Sequence, residues 1–331
     1  MSKPTVMVIG GAGYIGSHCA RAFDLDGWSV VVFDNLSRGW RDFVRWGEFF
    51  EGDILSDSDL KVAFERHKPD LVVHLAALAY VGESVRSPES YYRTNTVGAL
   101  NVLGAMRASA VSSLVFSSTC ATYGATDVAR ITETHAQYPI NPYGWSKFMV
   151  ERMIESFSSA YDLRFVMLRY FNAAGADIAA QIGERHQPET HAIPLALQGL
   201  LGDGGRFVVN GLDYATRDGS CERDFIHVKD LADAHLLAAK YLGSNGISGA
   251  FNLGTGHGVT VLELIAAIER VTGRRLDWIE GPRRFGDPAI LVADNTRAEK
   301  VLGFSPKFSE IDQIIEDAWH WHQLEVNVGK A

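Results

Sequence analysis

Two spacings of apolar residues alternate along the first half of the chain. Short unbroken runs rich in β-branched and other apolar residues occupy Thr5–Ile9, Ser29–Phe33, Leu71–Leu75, Leu114–Ser118 and Phe165–Leu168. Continuous apolarity over so few residues suits strands buried on both faces of a parallel sheet. Longer stretches of helical character separate them, at about 14–25, 57–67, 89–110 and 142–161. The alternation predicts an α/β fold, a doubly wound parallel sheet with right-handed crossovers.

After residue 171 the pattern loosens. Residues 172–191 and 202–224 are rich in Gly, Asp, Asn and charged side chains and read as long loops over a site. Helices are expected near 192–201, 228–242, 295–302 and 309–324, and one more opens at Thr260 with the capping-box pattern Thr260-Val-Leu-Glu263. The expected organisation is a first domain over 1–171 and a smaller mixed α/β lobe over 172–331, with a segment at about 225–255 returning to the first domain. There is neither an internal repeat nor a low-complexity linker.

Composition narrows the partners. The 331 residues carry 31 Lys plus Arg against 40 Asp plus Glu, a net charge of −9. Nucleic acid is therefore an unfavourable partner, because phosphate polymers call for a basic face. Any small anion must be met by a few locally placed cations. Cys19, Cys120 and Cys221 are odd in number and far apart, which suggests no disulfide framework. The N-terminus lacks a secretory pattern, and the most apolar stretch, Leu71–Val81, is too short for a bilayer and contains His74. A cytoplasmic protein with no membrane partner is expected.

The strongest local motif is Gly10-Gly11-Ala12-Gly13-Tyr14-Ile15-Gly16, between the first strand and the first helix. Glycines at 10, 13 and 16 allow a tight turn, close backbone approach to a pyrophosphate and tight helix–sheet packing. The helix N-terminus offers free N–H groups and partial positive charge. Asp34, 18 residues beyond Gly16, ends the second strand where an acid can bond a ribose diol and repel a 2′-phosphate. Together these point to a Rossmann sheet that binds NAD rather than NADP. A ligand-free glycine turn is the plainer alternative for the glycines alone.

Tyr143 and Lys147 form a Y-x-x-x-K pair, with Asn141 and Pro142 placed to cap and open their helix. On one helix face the Lys147 ammonium lies near the Tyr143 phenol. Such a cation, joined by a positive nicotinamide, is expected to lower the phenol from its ordinary value of about 10 toward use as a base. Phe116-Ser117-Ser118-Thr119 ends a strand at the carboxyl edge of the sheet, where Thr119 can steer a substrate proton. Taken singly, the first motif is also a common surface spacing and the second a common turn signal.

In combination these residues resemble the extended short-chain dehydrogenase/reductases and, within them, the UDP-glucose 4-epimerases. The likeness runs through Gly10 to His18, Asp34-Asn35, Gly52-Asp53-Ile54, Val81-Gly82-Glu83-Ser84, Ser117 to Gly124, Asn141 to Lys147, Leu168 to Gly175, Arg223-Asp224 and Arg283 to Asp287. Phe116 to Gly124, Leu168 to Ala176 and Gln187 to Pro194 are similar to bacterial exopolysaccharide-type epimerases. The resemblance implies NAD contacts from Gly10, Gly13, Tyr14, Ile15, Gly16, Asp34, Asn35, Asp53, Ile54, Leu75, Ala76, Ala77, Asn95, Ser117, Ser118, Tyr143, Lys147 and Tyr170. It implies catalysis by Tyr143, Lys147 and Thr119, and a UDP-sugar held by Thr119, Asn172, His191, Ala192, Val208, Asn210, Arg223, Arg284, Asp287 and Leu291. It also implies a homodimer through the helices near 89–110 and 142–161, and roles in galactose metabolism and exopolysaccharide biosynthesis.

The chain departs from the family pattern at three places. Ala79 replaces a lysine near the cofactor phosphates, Asn210 stands where some members stack an aromatic ring on uracil, and His191 stands where an asparagine often meets substrate. A 4,6-dehydratase carries Asp-Glu after its catalytic Thr, whereas this chain has Cys120-Ala121. An NAD(H)-sensing regulator is a further alternative, although such proteins usually lack the Tyr/Lys pair. Leu291 is intermediate in size, which favours UDP-glucose/UDP-galactose and leaves UDP-xylose/UDP-arabinose and N-acetylhexosamines as alternatives. No metal site is expected. His186, His191 and the Trp319-His320-Trp321-His322 run show no coherent ligand pattern with acids or thiolates, and Cys120 reads as a packing residue.

Overall fold

The computed structural model describes residues 3–126, 128–202, 204–284 and 288–329. Its centre is a seven-stranded parallel sheet. Six strands come in chain order from the first half: β1 (Thr5–Ile9), β2 (Ser29–Asp34), β3 (Glu48–Glu51), β4 (Leu71–His74), β5 (Ser113–Thr119) and β6 (Arg164–Tyr170). The seventh, Gly249–Leu253, pairs with β6, so the order across the sheet is Gly249–Leu253, β6, β5, β4, β1, β2, β3. The order reverses between β1 and β4, and a crevice opens at their carboxyl ends, the usual ligand position of this architecture.

Alternation along β1 shows why the sheet is buried twice over. Val6 and Val8 pack on one side with α1 (Tyr14–Leu25) and the helix Val228–Gly243. Met7 and Ile9 pack on the other with α2 (Asp57–His67) and the helices Gly98–Ala108 and Pro142–Tyr161. Full burial of such side chains contributes about 1.5–3 kcal/mol each.

Three features differ from the sequence expectation. The helix expected over 89–110 is Pro88–Tyr91, a wider π-type turn at Tyr92–Val97, and then Gly98–Ala108. The widened turn carries β-branched Thr94, Thr96 and Val97 and turns Asn95 inward, where it bonds Leu78 and Ser146. A short helix, Val81–Arg86, precedes it. Two sheet strands also escape the pattern. β3, at one edge, has only two apolar residues between two acids, and Gly249–Leu253 mixes Gly and Asn with its apolar residues.

In the smaller lobe, the helices Ala192–Leu201, Val261–Thr272 and Ile311–Gly329 pack round the parallel pair Phe207–Asn210 and Trp278–Gly281. Thr260 caps its helix with the reciprocal Glu263 bond of a capping box. Two further small sheets form: Asn172–Ala174 pairs with Phe225–His227, and Glu222–Arg223 lies between Val259–Thr260 and Ile290–Leu291. Among the described residues, no helix is long and apolar enough to cross a membrane.

Candidate active site

Local sequence fixes the catalytic helix. The Asn141 side chain accepts the Gly144 N–H at 2.8 Å, Pro142 fills the first turn, and Tyr143 and Lys147 follow on one face. β5 delivers Ser117, Ser118 and Thr119 to the same place, where Thr119 adjoins the Tyr143 phenol and favours its ionised form. Lys147 Nζ donates to the Ser117 carbonyl at 2.8 Å and lies 4.9 Å from the Phe116 ring centre. The Ser117 and Tyr170 hydroxyls bond each other. Tyr143, Lys147, Thr119, Ser117 and Tyr170 are thus brought together.

Burial dominates the electrostatics here. It pushes the Tyr143 phenol up to about 12 against the opposing influence of Thr119. It lowers Lys147 to about 7, with the Glu151 carboxylate pulling the other way. The expected lowering of Tyr143 by Lys147 is therefore corrected. The ammonium is directed at the Ser117 carbonyl, and the protein alone holds a neutral, buried phenol. Burial and the nearby Lys147 also drive His74 down to about 3, so its imidazole is neutral.

The glycine loop is shaped for a close-lying ligand. Gly10 has φ of +87°, and a Cβ there would meet the Ala76 nitrogen at 2.5 Å. A Cβ on Gly16 would lie 2.0 Å from the Gly10 carbonyl oxygen. Gly13, by contrast, has nothing nearer than that oxygen at 3.4 Å, and as the α1 N-cap it offers no side-chain bond. With no acid in its first turn, α1 leaves its leading N–H groups for an anion. Tyr14 ties this turn to the other lobe by donating to the Gly175 carbonyl at 2.6 Å, while Ile15 packs into the core.

Asp34, at the end of β2, accepts the Ala12 N–H at 3.0 Å and the Leu36 N–H at 2.8 Å. Burial raises its pKa and those bonds oppose the rise. Asn35 donates to Asp53 at 3.1 Å, and Ile54 packs against Gly98. Leu75 and Ala76 line the opposite wall, both donating N–H to the Ile9 carbonyl, with Ala77 beside them and Ala79 exposed. A glycine cradle, an uncapped helix start and an acid at the second strand fit the pyrophosphate and ribose of NAD. The Asn95 amide bonds the Leu78 N–H and carbonyl and the Ser146 hydroxyl, and so pins the loop after β4.

The substrate residues of the sequence reading fall into two groups. Arg223 and Leu291 are register partners, and Arg223 acts electrostatically on Cys120, the neighbour of Thr119. Asn172 continues from β6 and pairs with Phe225. Asp224 anchors this floor. Its buried carboxylate accepts from Thr255 N and Oγ1 at 2.8 Å, Gly256 N at 3.0 Å and Ala293 N at 3.1 Å. Val208 and Asn210 lie on the separate strand pair with Trp278–Gly281, and Arg284 is exposed. Asp287 lies outside the described residues. Burial pushes the Cys120 thiol up to about 12, as befits a packing residue.

Two buried clusters escaped sequence reading. Behind the catalytic helix, Glu151 accepts Arg169 Nε at 2.9 Å and Nη2 at 2.7 Å, Ser118 Oγ at 2.6 Å and Gln137 Nε2 at 2.8 Å. Helical spacing does place Glu151 one turn beyond Lys147, but nothing local pairs it with Arg169. In front of α1, His186 and His191 meet Glu184 and Glu189, which corrects the reading that they lack acids. Burial opposes charge on these groups, yet mutual attraction outweighs it. The imidazoles are held up at about 9 and about 10, and both carboxyls are held below their ordinary value.

The family model described as "NAD dependent epimerase/dehydratase family" matches residues 6–254. Curated UDP-glucose 4-epimerases of Rhizobium leguminosarum bv. trifolii and Rhizobium meliloti (strain 1021) are 52% and 49% identical, each over 97% of this chain and 98% of the relative. The solved structure of UDP-glucose 4-epimerase from Brucella ovis in complex with NAD is similar at a TM-score of 0.93 and 48% identity, covering 96% of this chain and 98% of that one. One from Stenotrophomonas maltophila, with bound NAD and formylated UDP-arabinopyranose, is similar at a TM-score of 0.95 and 36% identity, covering 99% and 100%.

Proposed function

This chain belongs to the NAD dependent epimerase/dehydratase family, and from that premise we propose that it inverts C4 of a UDP-hexose, interconverting UDP-glucose and UDP-galactose. The observation that carries the chemistry is the buried Tyr143 phenol beside Thr119, with Lys147 one turn along the same helix and bonded to the end of β5. NAD, when bound in the glycine cradle, supplies positive charge beside the phenol and a carbon that takes up and gives back the C4 hydrogen with its electron pair. Tyr143 takes the proton from the sugar 4-hydroxyl through Thr119 and returns it to O4 after the 4-keto sugar has turned over, so that C4 regains its hydrogen on the opposite face. Lys147 acts through its bond to the Ser117 carbonyl, which holds the strand end that presents Thr119 to Tyr143. Asn172, Arg223, Arg284 and Asp287 hold the UDP moiety, so the ketone stays bound while the hexose turns over.

Dehydration is disfavoured because Cys120 and Ala121 follow Thr119, and a thiol held near 12 is a poor acid. Leu291, paired with Arg223, suits an unmodified hexose better than an N-acetylated one. We place the protein in the cytoplasm as a homodimer serving galactose metabolism and exopolysaccharide biosynthesis. The dimer reading is supported by exposed Val97, Leu100, Met149 and Tyr161 on the two helical segments expected at the interface.

Incubation with each UDP-sugar, followed by chromatographic resolution of the epimers, tests the substrate. Tyr143→Phe is expected to keep its fold and NAD but lose at least about two orders of magnitude in rate. Near-normal turnover in that variant would refute the assignment.

A further inference from the structure

The loop between the strand Ile182–Gly183 and the helix Ala192–Leu201 carries Glu184, His186, Glu189 and His191. One ligand-type atom from each lies within 4.8 Å of all the others. His186 Nδ1 is 3.2 Å from Glu184 Oε1 and 3.6 Å from Glu189 Oε2. His191 Nδ1 is 2.7 Å from Glu184 Oε1 and 3.3 Å from Glu189 Oε1. Ligands placed tetrahedrally at about 2.1 Å from a common centre are about 3.4 Å apart. The four observed separations straddle that value.

Direction supports the same conclusion. Both Nδ1 atoms and Glu189 Oε2 are buried and make no hydrogen bond, despite their close approach to opposite charges. The four groups thus crowd together without donor-to-acceptor alignment. The Glu184 and Glu189 side chains are only 6% and 5% exposed, so the positive charge facing them comes from the two imidazoles or from a cation bound in their place. Two guanidiniums that adjoin the loop are engaged elsewhere: Arg38 with Glu83, and Arg185 with Asp42 and Glu325.

We propose that Glu184, His186, Glu189 and His191 bind one zinc ion, a structural site that takes His191 out of the substrate set implied by the family resemblance. Two imidazoles and two carboxylates suit an ion of borderline hardness, whereas calcium or magnesium would call for an oxygen cage. Four protein ligands complete a tetrahedral shell, so the ion braces the loop and takes no part in the reaction.

The surroundings show what bracing achieves. Trp40 donates to the Arg185 carbonyl, Arg38 to that of Gln187 and Trp321 to that of Glu184, each at 2.9 Å. The rings of Tyr14 and Tyr80 meet His186 edge-on. The ion therefore braces residues 184–191, whose His186 ring meets Tyr14 at the start of α1 and whose far end leads into the helix bearing Ala192. The His191 side chain is 41% exposed although its Nδ1 is buried, so the rest of the ring is presented outward.

The full chain, expressed in zinc-supplemented medium without a histidine tag, is dialysed against metal-free buffer and assayed by plasma mass spectrometry. About one zinc per chain is expected, falling to background in Glu184→Gln and in His186→Ala. Calorimetric titration of the metal-stripped wild type with zinc chloride should show one site. A hundredfold excess of zinc over Kd should raise the melting temperature by about 4 °C in the wild type alone. Zinc at buffer level with no titration heat overturns the proposal. So does zinc content unchanged in both variants. The wild-type measurements decide the matter even where a variant fails to fold.

Discussion

Glu151→Ala tests how the catalytic strand and helix are held together. In the native chain the carboxylate is fully buried and paired with Arg169, whose side chain is only 4% exposed. Burial opposes the guanidinium charge, but the two bonds from Glu151 outweigh it and hold Arg169 protonated. Removing the carboxylate strands that charge and also deprives Ser118 and Gln137 of their acceptor. Breaking one side of a buried pair costs about 3–5 kcal/mol. At about 2.1 cal/mol/K per residue, unfolding a chain of this length carries about 0.7 kcal/mol/K of entropy, so the melting temperature should fall by about 4–7 °C. Scanning calorimetry at neutral pH reads this directly. Replacing both partners by methionine should recover most of the loss, because no lone charge remains. A drop below about 1 °C in Glu151→Ala would show that the pair does not brace the site, and the reasoning would fail.

Two further substitutions probe the site. Lys147 is held at about 7 against an ordinary 10.5, so the unfolded chain binds the extra proton between those values and stability rises with pH across that window. The penalty is full below about pH 7 and vanishes above about 10.5. Cofactor-stripped Lys147→Met should accordingly gain a few kcal/mol over the wild type at about pH 6 and much less at about pH 9. A gain independent of pH in thermal melts contradicts the burial argument. Gly16→Ala places a Cβ 2.0 Å from the Gly10 carbonyl oxygen, and the backbone must open the cradle to admit it. NAD released on acid precipitation should fall at least about tenfold, and full occupancy would disprove the fit.

The fold was legible where burial was symmetrical. Strands β1, β2, β4, β5 and β6 carry apolar residues toward both faces, so their composition alone marks them. β3 and Gly249–Leu253 lie at the two edges, where polar residues break the run and pairing is decided by distant chain. The Tyr143, Lys147 and Thr119 constellation was readable because helix spacing and strand termination are local properties. The direction of its electrostatics was not, since burial is a property of the whole assembly and reverses the expected effect on Tyr143. Glu184 and Glu189 were missed for another reason. They flank two histidines in a loop with no regular period, so only the folded path shows that the four side chains converge.

The placement of Gly249–Leu253 bears on biosynthesis. β6 gains its second neighbour only from chain made some 80 residues later. At about 5–20 residues per second that interval lasts about 4–16 s. Throughout it, the nascent polypeptide presents an unpaired edge bearing Phe165, Val166, Met167 and Leu168, a template for pairing with another chain. The ribosome therefore cannot release a finished first half ahead of the second, and a message truncated before codon 249 encodes an aggregation-prone fragment.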